Sequence, residues 1–180
     1  MIKQTTLFAL LSLAAASQAV IGASGSINWT QSGSDYTYDI TLNNTGTTTI
    51  GTLWYAWIPG EDYLPVAPTS HSGPAGWAFL QSTSPGFGYG LRWVAPVGSE
   101  LAPGSSISGF QFTTTTTPAE LAGNTPFGAH PPMGTSFVYE GKPFTGESLQ
   151  FRINPVPEPT TMFGLSLGFV ALARRARRRR

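Results

Sequence analysis

In "DYTYDITLN" (residues 35–43), Tyr36, Tyr38, Ile40 and Leu42 fall on one side of an extended chain. Asp35, Thr37, Asp39 and Thr41 fall on the other. A period of two describes a strand with one face buried, and no helix can present such a pattern as a single stripe. The same alternation returns in "FGYGLRWVA", where Phe87, Tyr89, Leu91, Trp93 and Ala95 share a face and Gly88 and Gly90 leave room for a neighbour on the other. "TTTIGTLWYAWI" carries apolar residues on both sides, with Ile50, Thr52, Trp54, Ala56 and Ile58 opposed to Leu53, Tyr55 and Trp57. That reads as a central or doubly covered strand.

Punctuation agrees with the period. The chain of 180 residues holds 21 Gly and 15 Pro, which disfavour helix interiors and supply turns. "NNTG" closes the first strand, Pro103-Gly104 precedes a strand carrying Phe110 and Phe112, and "GKPFTG" separates "TSFVYE" from "SLQFRI" as a final hairpin. The hairpin is expected to bury Phe137 and Tyr139 against some of Leu149, Phe151 and Ile153. With "SINWT" near the start, about seven strands are expected, arranged as an all-β sandwich of immunoglobulin-like or jelly-roll-like type. Two irregular stretches interrupt it, Pro59 to Pro85 and Pro118 to Gly134. "GWAFL" reads as a short strand or one helical turn, and "PAELAG" as a single turn of helix.

The ends are of a different kind. "MIKQTTLFALLSLAAASQA" has a basic start at Lys3, an apolar stretch from Leu7 to Ala16 and a small-x-small site at Ser17-Gln18-Ala19. This is the layout of a secretory signal peptide spanning residues 1–19, cut after Ala19 with Ala23 as the second choice. The expected folded domain then covers 20–154 and the remaining 155–180 forms a separate segment. There Pro155, Pro157 and Pro159 fix an extended backbone and lack N–H donors, which makes them poor ladder partners. Met162 to Ala173 is apolar, and as a helix spans roughly 18 Å. A bilayer core of about 30 Å is longer, so Thr160, Thr161 and snorkelling arginine stems must extend it into a single membrane helix. Arg174, Arg175, Arg177, Arg178, Arg179 and Arg180 would hold that end in the cytoplasm and the body outside.

The proline motif Val156-Pro157-Glu158-Pro159, the short apolar run and the terminal arginines, in that order, resemble a PEP-CTERM sorting signal. The resemblance implies recognition by a membrane-embedded exosortase, processing during transit to the surface of a Gram-negative bacterium, and association with exopolysaccharide or biofilm matrix. A plain tail anchor would use the helix and arginines but leave the prolines as a spacer. A Gram-positive sortase signal would need an "LPxTG"-type motif, which is absent.

Chemistry in the body is sparse. Between Val20 and Pro155 there are three basic and eight acidic residues, so no basic surface for nucleic acid is expected. Absence of cysteine removes disulfides and thiolate ligands. His71 and His130 lie far apart in loops without an HExxH pattern, and Glu61-Asp62 lacks the repeated carboxylates of a calcium loop. No GxSxG or phosphate loop occurs, "GFGYG" precedes no helix, and no carboxylate pair for glycoside cleavage is identifiable. A non-enzymatic protein without metal or cofactor is therefore expected. The alternatives are a carbohydrate-binding module or, less favoured, a secreted hydrolase. Of five tryptophans, Trp29, Trp54 and Trp93 suit a core, whereas Trp77, in a Pro/Gly-rich loop, and then Trp57 are the candidates to stack on sugar rings.

Overall fold

The computed structural model describes residues 19–57, 63–84, 88–122, 134–153 and 155. The elements are β1 (Ala23–Ser32), β2 (Asp35–Asn44), β3 (Thr52–Tyr55), β4 (Ser70–Ser72), β5 (Ala78–Ser84), β6 (Gly88–Val94), β7 (Ser106–Thr114), α1 (Pro118–Ala122), β8 (Thr135–Tyr139) and β9 (Ser148–Arg152). They form two antiparallel sheets, ordered β1-β2-β7-β4 and β5-β6-β3-β8-β9. The all-β architecture expected from the alternation is present, with nine strands rather than about seven among the described residues. The two extra strands fall in the Pro/Gly-rich interval. "GWAFL" opens β5, and β4 is a three-residue edge strand paired to β7.

One face of each sheet supplies the core. Ile27, Tyr38, Ile40, Leu42, Phe110 and Phe112 project from the first sheet onto Leu53, Tyr55, Leu91, Trp93 and Val138 of the second. Aromatic contacts join the sheets: Trp93 meets Phe110 edge to face at 5.5 Å, and Tyr55 meets Phe112 at 5.3 Å. The Tyr38 hydroxyl donates to the Thr116 carbonyl at 2.7 Å. Burial pushes the pKa of Tyr38 and Tyr55 well above the ordinary tyrosine value, so both stay neutral inside.

Local devices shape the strands. β7 carries a bulge where Ile40 pairs Phe110 but Leu42 pairs Ile107. Gly109, at φ 98°, takes up the extra residue. Asp39 completes it by accepting from the Gly109 N–H at 3.2 Å and the Gln111 amide at 2.6 Å. Helix α1 starts with a capping box: the Thr117 hydroxyl accepts from the Glu120 N–H, and the Glu120 carboxylate accepts from the Thr117 N–H at 2.6 Å.

Backbone pairing begins at Val20. The Thr47 N–H donates to the Val20 carbonyl at 2.8 Å, and the Thr45 N–H to the Gly22 carbonyl at 2.9 Å. This clasp needs Gly46, where an added Cβ would collide with the backbone of Val20 and Gly22. Gly46→Ala should therefore lower stability by about 1–3 kcal/mol in urea titration, and an unchanged midpoint would show the clasp to be dispensable.

Candidate functional site

Two places in the described structure bear on function: the junction with the C-terminal segment, and an aromatic cluster outside the second sheet. At the junction, β9 delivers Ile153 into the core, where it is fully buried and its side chain fills the space left by Gly25. The Ile153 N–H donates to the Gly134 carbonyl at 2.9 Å. Two residues later Pro155 forms a parallel bridge with Ile27 of β1. A proline expected to be a poor ladder partner thus forms a single isolated bridge, to which its own nitrogen can donate nothing. The described body thus reaches Pro155, one residue before the Val156–Pro159 motif.

The second place lies on the outer face of β6, β3 and β8. Register aligns Arg92, Trp54 and Phe137 in one row and Thr52 with Tyr139 in the next. Trp54, Trp57, Tyr63 and Tyr139 form a buried cluster of their own, separate from the main core, with Phe137 against it. Trp57 was expected on the opposite side from Trp54. Ala56 sits at φ 53°, a left-handed conformation, and this reverses the alternation so that the two indoles stack at 4.3 Å. Gly90 accommodates the result, since a Cβ there would lie 2.9 Å from Trp57 Cδ1. Phe137 and Tyr139 join this outer cluster instead of packing on Leu149, Phe151 and Ile153. β8 turns Val138, not its aromatic neighbours, toward the inner core.

Phe144, at the tip of the β8–β9 connection, lies over this cluster, 5.7 Å from Trp57 and 5.6 Å from Tyr139. It is 66% exposed and itself adopts φ 64°. The Arg92 guanidinium lies 4.8 Å above the Trp54 ring. Burial lowers its pKa from the usual arginine value, and its Nε has no hydrogen-bond partner. The buried Trp54 Nε1 lacks an acceptor as well. The exposed face of an aromatic ring such as Phe144 can stack on a flat apolar ligand face.

The sugar-stacking candidates from sequence do not present free faces. Trp77 is 7% exposed, packed edge to face on Phe110 at 5.1 Å. Gly73 and Gly76 let its loop fold down onto Trp93 and Pro96, which carries Trp77 into the core. Trp57 is 8% exposed, stacked on Trp54 and edged by Phe137 and Phe144. Phe144 was not singled out from sequence, although a large aromatic within a Gly-bounded turn was a signal for it. His71 stacks on Phe79 at 3.7 Å and borders a cavity of about 200 Å³ with Thr37, Ser70, Ser72, Gln111 and Thr113. Among the described residues no cluster of His, Cys, Asp and Glu is arranged to hold a metal ion. No described helix is long and apolar enough to cross a membrane. Residues 1–18 of the expected signal peptide, Ile58, Glu61, Asp62, Phe87, His130, Val156, Pro157, Glu158, Pro159, the expected membrane helix and the terminal arginines lie outside the described residues.

Residues 155–179 match the family model of the PEP-CTERM protein-sorting motif, so the chain carries that motif where the proline–helix–arginine pattern lies. No curated protein matches the sequence. Among solved structures the chain is similar to an inactive mutant of a GH20 exo-β-N-acetylglucosaminidase from Vibrio harveyi, with 13% identity and a TM-score of 0.44. The match covers 75% of this chain and 18% of that one.

Proposed function

We propose that the motif at residues 155–179 hands an exported protein to an exosortase-type membrane enzyme, which removes the apolar segment and arginines and releases the β-sandwich to the cell surface or matrix of a Gram-negative bacterium. The observation that carries this reading is the motif itself, joined directly to a folded body at Pro155. Export requires a signal peptide, and the clasp of Val20 and Gly22 on Thr45 and Thr47 favours cleavage after Ala19. Cleavage after Ala23 would remove the clasp and the first residue of β1. Intact-mass measurement of the surface form in a host with the matching enzyme should give Val20 as the first residue and no arginine tail. A surface form that keeps Arg180 would make the segment a permanent anchor.

The body is read as non-enzymatic and associated with exopolysaccharide. Its acidic side chains support this reading where they are committed to structure: Asp39 to the β7 bulge, Glu120 to the α1 cap, and Glu100 to the Gly98 N–H at 2.8 Å. A carbohydrate-binding role is the second reading, and the exposed ring of Phe144 over the Trp54–Trp57 cluster favours it. Phe144→Ala should reduce retention of the protein on its host's isolated exopolysaccharide several-fold while leaving the melting temperature within a few degrees, as for an exposed side chain. Unchanged retention would remove this face from consideration.

A further inference from the structure

The outward face of the first sheet is built from polar side chains in register. Asp39, Gln111 and Ser72 stand in one row across β2, β7 and β4, and Thr37, Thr113 and Ser70 stand in the next. Both rows alternate with residues turned into the core, among them Tyr38, Phe110 and Phe112. The cavity of about 200 Å³ spans the two rows and is lined by Thr37, Ser70, Ser72, Gln111 and Thr113. His71 and Phe112 form its floor, since their rings are held on the inner side, against Phe79 and Tyr38. Hydrogen bonds within the lining fix its side chains. The Thr37 and Thr113 hydroxyls share one at 3.0 Å, the Gln111 amide donates to Asp39 at 2.6 Å, and the Ser72 hydroxyl donates to Gln111 Oε1 at 3.4 Å.

The hydrogen-bonding capacity left over defines what fits. Two threonine hydroxyls joined by one bond keep one O–H hydrogen free. Gln111 keeps a second N–H, Ser72 keeps its lone pairs, and the Ser70 hydroxyl has no partner among the described residues. Donors and acceptors are thus mixed around one opening. An apolar ligand would strip water from these groups and return no bonds, which is costly. An anion meets no Lys or Arg in either row, and Asp39, already bonded to the Gly109 N–H and to Gln111, adds a negative charge. An uncharged polyol matches the lining, because each of its hydroxyls both donates and accepts. Drug-sized ligands take roughly 300–1,000 Å³, so this space suits a single ring. We propose that the cavity binds one uncharged sugar unit of a glycan by hydrogen bonds, on the sheet opposite the Phe144 face. Its aromatic neighbours are turned away, so one unit binds weakly, with a dissociation constant on the order of 1 mM. The site depends neither on the Phe144 face nor on the sorting reading.

The test uses the isotope-labelled full-length protein in micelles of a detergent without a sugar headgroup. Methyl glucoside, methyl galactoside and methyl mannoside are titrated in turn and followed by backbone amide signals. At least one of them should shift the amides of Ser70 to Ser72 and of Gln111 to Thr113. Ser70→Ala should weaken that sugar about threefold and Thr113→Val about tenfold, as for lost hydrogen-bonding groups. The melting temperature should stay within a few degrees. Ser70 is exposed, so its variant reports even if Thr113→Val fails to fold. Phe144→Ala should leave the affinity as it was, and glucuronate should bind more weakly than the neutral sugar. No shift with any of the three sugars, shifts confined to the surroundings of Phe144, unchanged affinity in both cavity variants, or tighter binding of glucuronate would each overturn the proposal.

Discussion

Pro157→Ala/Pro159→Ala should accumulate at full length, minus the signal peptide, in the inner membrane, while the wild type appears shortened and without its arginines. The difference should be close to all-or-none on an immunoblot, because the substitution changes what an enzyme sees rather than what the body packs. Both positions follow Ile153, the last fully buried residue among those described. Stability should change by about 0.5 kcal/mol or less, as at surface sites. Alanine frees φ at both positions and removes the proline barrier to the helix expected from the apolar run. The peptide that must remain extended for a processing enzyme would then be lost. Glu158→Gln keeps the shape and removes the charge, so it separates recognition of backbone from recognition of the carboxylate. Normal shortening of the double variant would show that the prolines are not read.

Phe110→Ala should be the most damaging single substitution in the body, at about 3–5 kcal/mol in chemical unfolding. Phe110 is fully buried on β7 and touches both layers, meeting Trp93 of β6 at 5.5 Å and Trp77 at 5.1 Å. Its removal leaves two indoles without their shared partner and a cavity between sheets that backbone pairing holds apart. Typical domains have only about 5–15 kcal/mol to lose, so the variant should melt early or fail to accumulate. A loss under about 1 kcal/mol would mean that the two sheets do not meet at this residue. The comparison to make is Phe144→Ala, an equally large truncation at an exposed ring, which should cost far less.

Alternation made most of the sandwich legible. β2, β6 and β7 run where the period of two placed them, and their inward residues are those that share a face in the sequence. Turn chemistry located the Pro103-Gly104 corner, where Gly104 has φ 72°, and the turn at α1. What alternation missed were residues whose backbone leaves the extended region. Ala56 moves Trp57 across the sheet, Phe144 perches on a turn, and the glycines at 73 and 76 fold Trp77 inward. None of these carries a periodic signal, because a single left-handed residue changes faces without changing composition. The same limit applied to the candidate site. The motif was legible from the order of prolines, apolar run and arginines, whereas the cluster around Arg92 depends on which face each aromatic takes.

Before processing, a body still joined to its C-terminal segment would meet flow as tension, and the junction determines where that load goes. Force enters at Pro155 and passes to the bridge with Ile27 and to the bond from Ile153 to Gly134. One path pulls on an edge strand of the first sheet, the other on the loop leading into β8 of the second. β1 is itself secured near its start, through Val20 and Gly22, to the Thr45–Thr47 turn beyond β2. A pull on the tail would therefore reach both layers, through one contact to each. Until the proposed processing step frees the body, a pull on the tail would thus be shared between the two sheets where the chain leaves the fold.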